Sequence, residues 1–168
     1  RSFDLDIMIG ELLATLAPTY KQHQIDQKVP AGIKLDSYPG SLAQVVTNLT
    51  TNAITHGYGD SEKGIICIEV STVDDDKVLV TFTDNGRGIS DINIDKIFEP
   101  FFTTRRGSGG TGLGLNIVHN IITSILGGRI WVESELGKGT VFSIELPKIA
   151  PVFKEVAVDT DESVSSSS

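Results

Sequence analysis

At 168 residues and 18.0 kDa, the chain is long enough for one domain with a real core and too short for two full ones. Its 39% hydrophobic and 21% charged residues describe a globular body, and 22 acidic against 14 basic residues, a formal net charge of -8, exclude a general nucleic-acid backbone binder. No run approaches the roughly 18 apolar residues of a membrane span, and the single Cys67 cannot form an internal disulfide, which suits a reducing compartment.

The sequence opens Arg1-Ser2-Phe3 with neither an initiator Met nor a signal-peptide pattern, and reads as a piece of a longer protein. Residues 3–6 read as a short strand or a lead-in. Ile9, Leu12, Leu13 and Leu16 recur at helical spacing and predict a helix from Ile7 to about Lys21, with Pro18 late in the pattern. A polar link leads to an alternating strand, 33–36, stopped by Pro39-Gly40. Ser41 is the expected N-cap of the next helix, which runs to His56 and ends at Gly57-Tyr58-Gly59.

Two alternating runs, 64–71 and 77–84, predict an antiparallel hairpin with Asp74-Asp75-Asp76 as its solvated tip. Cys67 reads as a buried thiol in the first of these strands. The glycine-rich stretch 85–110 is too long for an idle connector. A helix is expected over Leu113–Leu126, closed by Gly127-Gly128, then strands Arg129–Glu135 and Thr140–Leu146, with Trp131 packing in the core or on a sheet face. Residues 1–150 form the domain; 151–168, acidic and Ser-rich, are expected to be a disordered tail. Irregular alternation with a hairpin predicts an α/β (α+β) two-layer sandwich: a mixed, mostly antiparallel sheet with roughly three helices on one face and a wetter opposite face.

Three features carry possible chemistry. On helix 41–56, Leu42, Val45, Val46, Leu49 and Ala53 form an apolar stripe, and Asn48, Asn52 and His56 stack along its edge at successive i+4 steps. Two mediocre helix formers one turn apart need a reason, and an amide oxygen is a neutral, hard ligand suited to Mg²⁺. A plain hydrogen-bonded boundary residue is the alternative for either Asn alone. Second, Asp84-Asn85-Gly86-Arg87-Gly88-Ile89 closes an alternating strand, so the Asp84 carboxylate can point inward, where it needs donors. An adenine amino group is one such donor, and Gly86 and Gly88 allow a flat ring to approach; an ordinary Asx turn is the alternative. Third, Gly107-Ser108-Gly109-Gly110-Thr111-Gly112-Leu113-Gly114-Leu115 opens a helix, baring backbone N–H groups where an anion can sit, with Arg105 and Arg106 as a cationic edge. The formal Gly-x-Gly-x-x-Gly match at 107–112 lacks the preceding strand of a dinucleotide site. His23, His56 and His119 have no zinc spacing.

In order, Asn48-x-x-x-Asn52, Asp84-x-Gly86-x-Gly88, Phe98-Glu99-Pro100-Phe101-Phe102 and Gly110-Thr111-Gly112-Leu113-Gly114-Leu115 resemble the N, G1, F and G2 boxes of sensor histidine kinases. These belong to the Bergerat-fold ATPases, with gyrase, the MutL mismatch-repair protein and the ninety-kilodalton chaperone; the resemblance covers about residues 2–148. It implies an ATP-binding catalytic domain that presents Mg-ATP for phosphoryl transfer to a histidine. Asn52 would ligate Mg²⁺, and Asn48, where related ATPases carry a glutamate base, would position phosphate and water. Asp84 would bind the adenine amino group, helped by a water and Thr140, with Gly86, Gly88 and Ile89 shaping the base pocket. Phe98 to Gly110 would form a lid, and Gly110, Thr111, Gly112, Leu113 and Gly114 would cradle phosphates.

Two positions depart from the pattern: Thr55 stands where many members have Lys, leaving phosphate charge to Arg105 or Arg106, and His56 offers a phosphate contact. No histidine has the context of a phosphoacceptor motif. The resemblance therefore implies a fragment inactive on its own. Its partners would be a histidine-containing dimerisation module of the same parent and a response regulator, with no nucleic acid. It implies a monomeric, cytoplasmic piece of a parent that is inner-membrane anchored in many members. The alternative is a nucleotide-responsive regulatory module without transfer activity. A gyrase- or MutL-like ATPase would require a glutamate at position 48.

Overall fold

The structure, a computed structural model, describes residues 1–20, 22–58, 63–100, 102 and 114–152, excluding the side chain of His56. The elements in chain order are β1 (Ser2–Asp4), α1 (Leu5–Leu16), β2 (Gln24–Lys28), β3 (Lys34–Asp36), α2 (Pro39–Gly57), β4 (Ile65–Thr72), β5 (Lys77–Asp84), α3 (Asp91–Ile94), α4 (Gly114–Asn120), β6 (Arg129–Glu135) and β7 (Gly139–Pro147). A wider π turn, Ile121–Ile125, continues α4.

The main sheet has the order β2-β4-β5-β7-β6, with β2 parallel to β4 and the other neighbours antiparallel. Alternation along the strands sends Ile66, Ile68 and Val70, then Val78, Val80 and Phe82, then Phe142, Ile144 and Leu146, all to one face, where all are buried. Helices α1, α2 and α4 cover that face with Leu5, Ile9 and Leu13, with Leu42, Val45, Val46 and Leu49, and with Val118 and Ile122. Each such side chain contributes about 1.5–3 kcal/mol by leaving water. The opposite face carries Glu69, Thr81 and Trp131, and is the wetter layer expected.

Several local expectations are corrected. Helix α1 begins at Leu5 and stops at Leu16, before Pro18, whose ring cannot continue the ladder. The supposed polar link contains β2, whose single apolar residue, Ile25, left no alternation to read. Pro39-Gly40 does not stop the chain but starts α2: Tyr38 is the N-cap, and Pro39 fills the first turn, where its missing N–H costs nothing. Ser41 is therefore inside the helix. Cys67 is half-buried on the open sheet face rather than in the core, whereas Trp131 takes the sheet-face position expected of it, 37% exposed on that same face.

β1 and β3 pair antiparallel in a small second sheet beside the end of β7. Asp36 donates its N–H to the Lys148 carbonyl (2.7 Å) and accepts from the Ala150 N–H (2.8 Å). The Lys148 N–H in turn donates to Asp76 at the β4–β5 tip (2.7 Å). Residues 153–168, which include most of the expected tail, lie outside the described residues. Among the described residues no helix is long and apolar enough to cross a membrane.

Candidate functional site

Asp84 ends β5 and pairs with Ile66 on one side and Thr140 on the other. Strand parity turns its carboxylate to the covered face, where it is only 6% exposed. Oδ1 accepts the Gly86 N–H at 2.8 Å. Burial pushes the Asp84 carboxyl above its ordinary value, and backbone hydrogen bonds from Gly86 and Thr140 partly offset this. The expected inward carboxylate is thus present, with backbone groups as its donors.

The turn after Asp84 is held closely. The Arg87 N–H donates to the Gly57 carbonyl at the end of α2 (2.8 Å), and the Gly137 N–H donates to the Arg87 carbonyl (2.8 Å). The Ile89 N–H donates to Ser134 Oγ (2.7 Å). Gly86 lies so near α2 that a β-carbon there would fall 2.7 Å from the Gly57 carbonyl oxygen and 2.8 Å from its Cα. Gly88 has φ +78°, and a β-carbon there would collide with the Glu135 carbonyl. Both glycines are required by the close packing of this turn against the end of α2 and the end of β6.

Thr140 is buried, and its hydroxyl lies 2.9 Å from Ser134 Oγ. Because Ser134 gives its own hydrogen to the Gly139 carbonyl (2.8 Å), Thr140 is the donor between the two hydroxyls, and its oxygen keeps lone pairs for a water. Ser134 escaped sequence reasoning; β-parity placed it inward, but nothing in the sequence marked it as a clasp.

On α2, Asn48 and Asn52 are both half-buried at the edge of the apolar stripe. Asn48 Nδ2 reaches the Gly114 carbonyl at 3.4 Å, and Gln44 Nε2 donates to Asn48 Oδ1 at 2.6 Å. Gln44 was also missed, although it extends the Asn48-Asn52-His56 stack by one turn toward the N-terminus. Asn52 makes no hydrogen bond to any described residue, so its amide is available to a ligand. The structure therefore brings Asn48 to Gly114 and Asp84 to Gly86 and Thr140, with Gly57 joining α2 to the Asp84 turn.

Phe98 sits against α4: its carbonyl accepts Asn116 Nδ2 (3.1 Å), and its ring lies 5.4 Å from His119 and 6.3 Å from Phe142. His119 is consequently half-buried on that ring. Arg105, Arg106, Gly110, Thr111, Gly112 and Leu113 lie outside the described residues, as does the His56 side chain.

A buried carboxylate beside two glycines suits a ligand that bears an amino donor. Residues 38–150 match the family of histidine kinase-, DNA gyrase B- and HSP90-like ATPases. The chain belongs to that family. Within it, the chain is 45% identical over 117 residues to the sensor histidine kinase ZraS of Salmonella typhimurium, covering 70% of this chain and 24% of ZraS. It thus spans about a quarter of that relative's length. The catalytic domain of the histidine kinase ThkA superposes with a TM-score of 0.76 at 32% identity, covering 89% of this chain and 95% of that domain. ThkA in complex with the response regulator protein TrrA gives a TM-score of 0.72 at 29% identity, covering 88% of this chain and 41% of that one. The fold of this ATPase-family member is that of histidine kinase catalytic domains, as the boxes implied.

Proposed function

We propose that this domain holds Mg-ATP between α2 and the end of β5 and presents its terminal phosphate to a histidine of a separate module of the same parent. The observation that carries this reading is the buried Asp84 carboxylate at the head of a glycine turn, with Asn52, whose amide bonds to no described residue, on the helix tied to that same turn. Asp84 would accept the adenine amino group, and Gly86, Gly88 and Ile89 would wall the base. Thr140, through its free lone pairs, would hold a water beside the ring. Asn52 would supply one oxygen to Mg²⁺, which needs few protein ligands because it keeps most of its waters. The ion would neutralise charge on the phosphates. Asn48, steadied by Gln44, would orient phosphate or water, and Gly110 to Gly114 with Arg105 and Arg106 would complete the phosphate side.

Phosphoryl transfer asks a protein for positioning and charge neutralisation rather than covalent chemistry, and a neutral amide at position 48 suits that role. A general base for hydrolysis would call for a carboxylate there. The acceptor histidine belongs to a dimerisation module, and the phosphoryl group passes from it to a response regulator. The isolated domain is read as a monomer, on the cytoplasmic side of its parent.

The test supplies an acceptor module in trans with labelled ATP and Mg²⁺. Label on the acceptor histidine is the expected result. Tight ATP binding without transfer would overturn the kinase reading in favour of a regulatory nucleotide switch, and absence of ATP binding would overturn both.

A further inference from the structure

The loop that follows α2 carries a buried tyrosine that the nucleotide-binding residues described above do not include. Tyr58 is 6% exposed, and its hydroxyl donates to Asn85 Oδ1 at 2.6 Å while accepting the Asn85 N–H at 3.2 Å. Asn85 Oδ1 also accepts the Ile65 N–H at 2.9 Å. The β4–β5 ladder has its last pair at Ile66 and Asp84, so the Asn85 side chain continues that ladder one residue beyond Asp84. The tyrosine hydroxyl then closes the end, where paired strands would otherwise fray.

The tyrosine ring is itself fixed. His23 lies against it at 5.3 Å between ring centroids, and His23 Nδ1 accepts the Gly64 N–H at 2.8 Å. A β-carbon on Gly64 would collide with the tyrosine ring, so the backbone there lies flat against it. One residue earlier, the Gly57 carbonyl holds the Arg87 N–H. Consecutive residues at the end of α2 therefore grip the turn on both sides of Gly86: Tyr58 at Asn85 and Gly57 at Arg87.

A buried hydroxyl spent on this contact is more than space-filling, because phenylalanine would fill the volume without the risk of an unsatisfied polar group. We propose that Tyr58 and Asn85 are positioning residues that hold the Asp84 carboxylate in register for the adenine amino group and tie it to the helix that carries Asn48 and Asn52. This rests on the reading of Asp84 as the adenine contact. The clamp acts at the carboxylate end, so its loss should be felt by the base more than by the phosphates.

The experiment measures ATP and ITP binding by calorimetry for the wild type, Tyr58→Phe, Asn85→Ala and Asp84→Ala, with a nucleotide-free thermal melt of each. ITP carries a carbonyl where ATP carries the amino group. Tyr58→Phe keeps the ring and removes the hydroxyl's bonds to Asn85, so ATP affinity should fall about five- to tenfold. ITP affinity should hardly change, and Tm should stay within a few degrees of wild type. Asn85→Ala should narrow the ATP-over-ITP preference further. Equal losses for both nucleotides would overturn the proposal, because they would reveal general loosening. Wild-type binding in both clamp variants would overturn it too, and so would failure of both to fold. If Asp84→Ala binds ATP as the wild type does, the site assignment itself falls, and the clamp with it. If Asp84→Ala loses ATP while the clamp variants do not, the site stands and only the clamp is removed.

Discussion

The two ends of the site are built differently. Around Asp84 the polar groups are already paired: the carboxylate with Gly86 and Thr140, Thr140 with Ser134, and Arg87 with Gly57. On the exposed edge of α2 the pairing is sparse, with Asn48 held by Gln44 and Gly114 and Asn52 bonded to no described residue. A closed hydrogen-bond network fixes geometry before a ligand arrives, and so favours discrimination. An unspent amide has little selectivity of its own and, on the function proposed above, would gain its role from the ion it meets. Base choice and phosphate grip should therefore be separable by mutation.

The sharpest test of that division is Asn52→Ala. Affinity for ATP should fall roughly 100-fold in Mg²⁺. In a metal-free buffer with chelator, wild type and variant should bind alike. Calorimetry in both buffers checks this, and an equal loss without metal would erase the distinction between the two ends. Asp84→Ala should cost about 10- to 100-fold, the range for a hydrogen bond to a charged group, and by the same factor with or without Mg²⁺.

A smaller effect is expected from Gly86→Ala. Its β-carbon would sit 2.7 Å from the Gly57 oxygen, so backbone must move, at a cost of about 1–3 kcal/mol visible as a lowered Tm without nucleotide. The smallest concerns pH. Because the folded state raises the Asp84 pKa above 3.8, folding favours the protonated carboxyl. The resulting stabilisation is fully present below the unfolded value and is lost as pH rises through the folded one. At neutral pH the ionised group therefore opposes folding of the nucleotide-free domain. Asp84→Asn should raise Tm by a few degrees at neutral pH, and the gain should vanish in acid below that ordinary value. A gain that persists in acid would mean packing rather than charge is responsible.

The inner sheet face was legible because Ile66, Ile68, Val70, Val78, Val80 and Phe82 alternate without interruption, and period-two alternation has one reading. β2 was invisible because Gln24-Ile25-Asp26-Gln27-Lys28 holds a single apolar residue, Ile25, and so shows no alternation. At the site, Asp84 could be read because parity fixed its direction. Asn48 and Asn52 could be read because helical spacing stacked them. Ser134, Tyr58 and Asn85 could not, since each acts across 6 to 45 positions of sequence through a contact only folding creates. Gln44 differs: it lies at helical spacing from Asn48 and was there to be found.

The stitching of Asp36 to Lys148 and Ala150 has a mechanical consequence. Residues 1–4 and 147–150 lie together at a single corner, beside the Lys77–Pro147 end of the β5–β7 pair, while Asp84 sits at the other end of β5. Eight residues of strand separate them, a span of roughly 23 Å at about 3.3 Å per step. Whatever polypeptide is joined at that corner grips the domain as one grips the handle of a paddle. A rotation applied there would carry the Asp84 end through a wider arc than the corner itself.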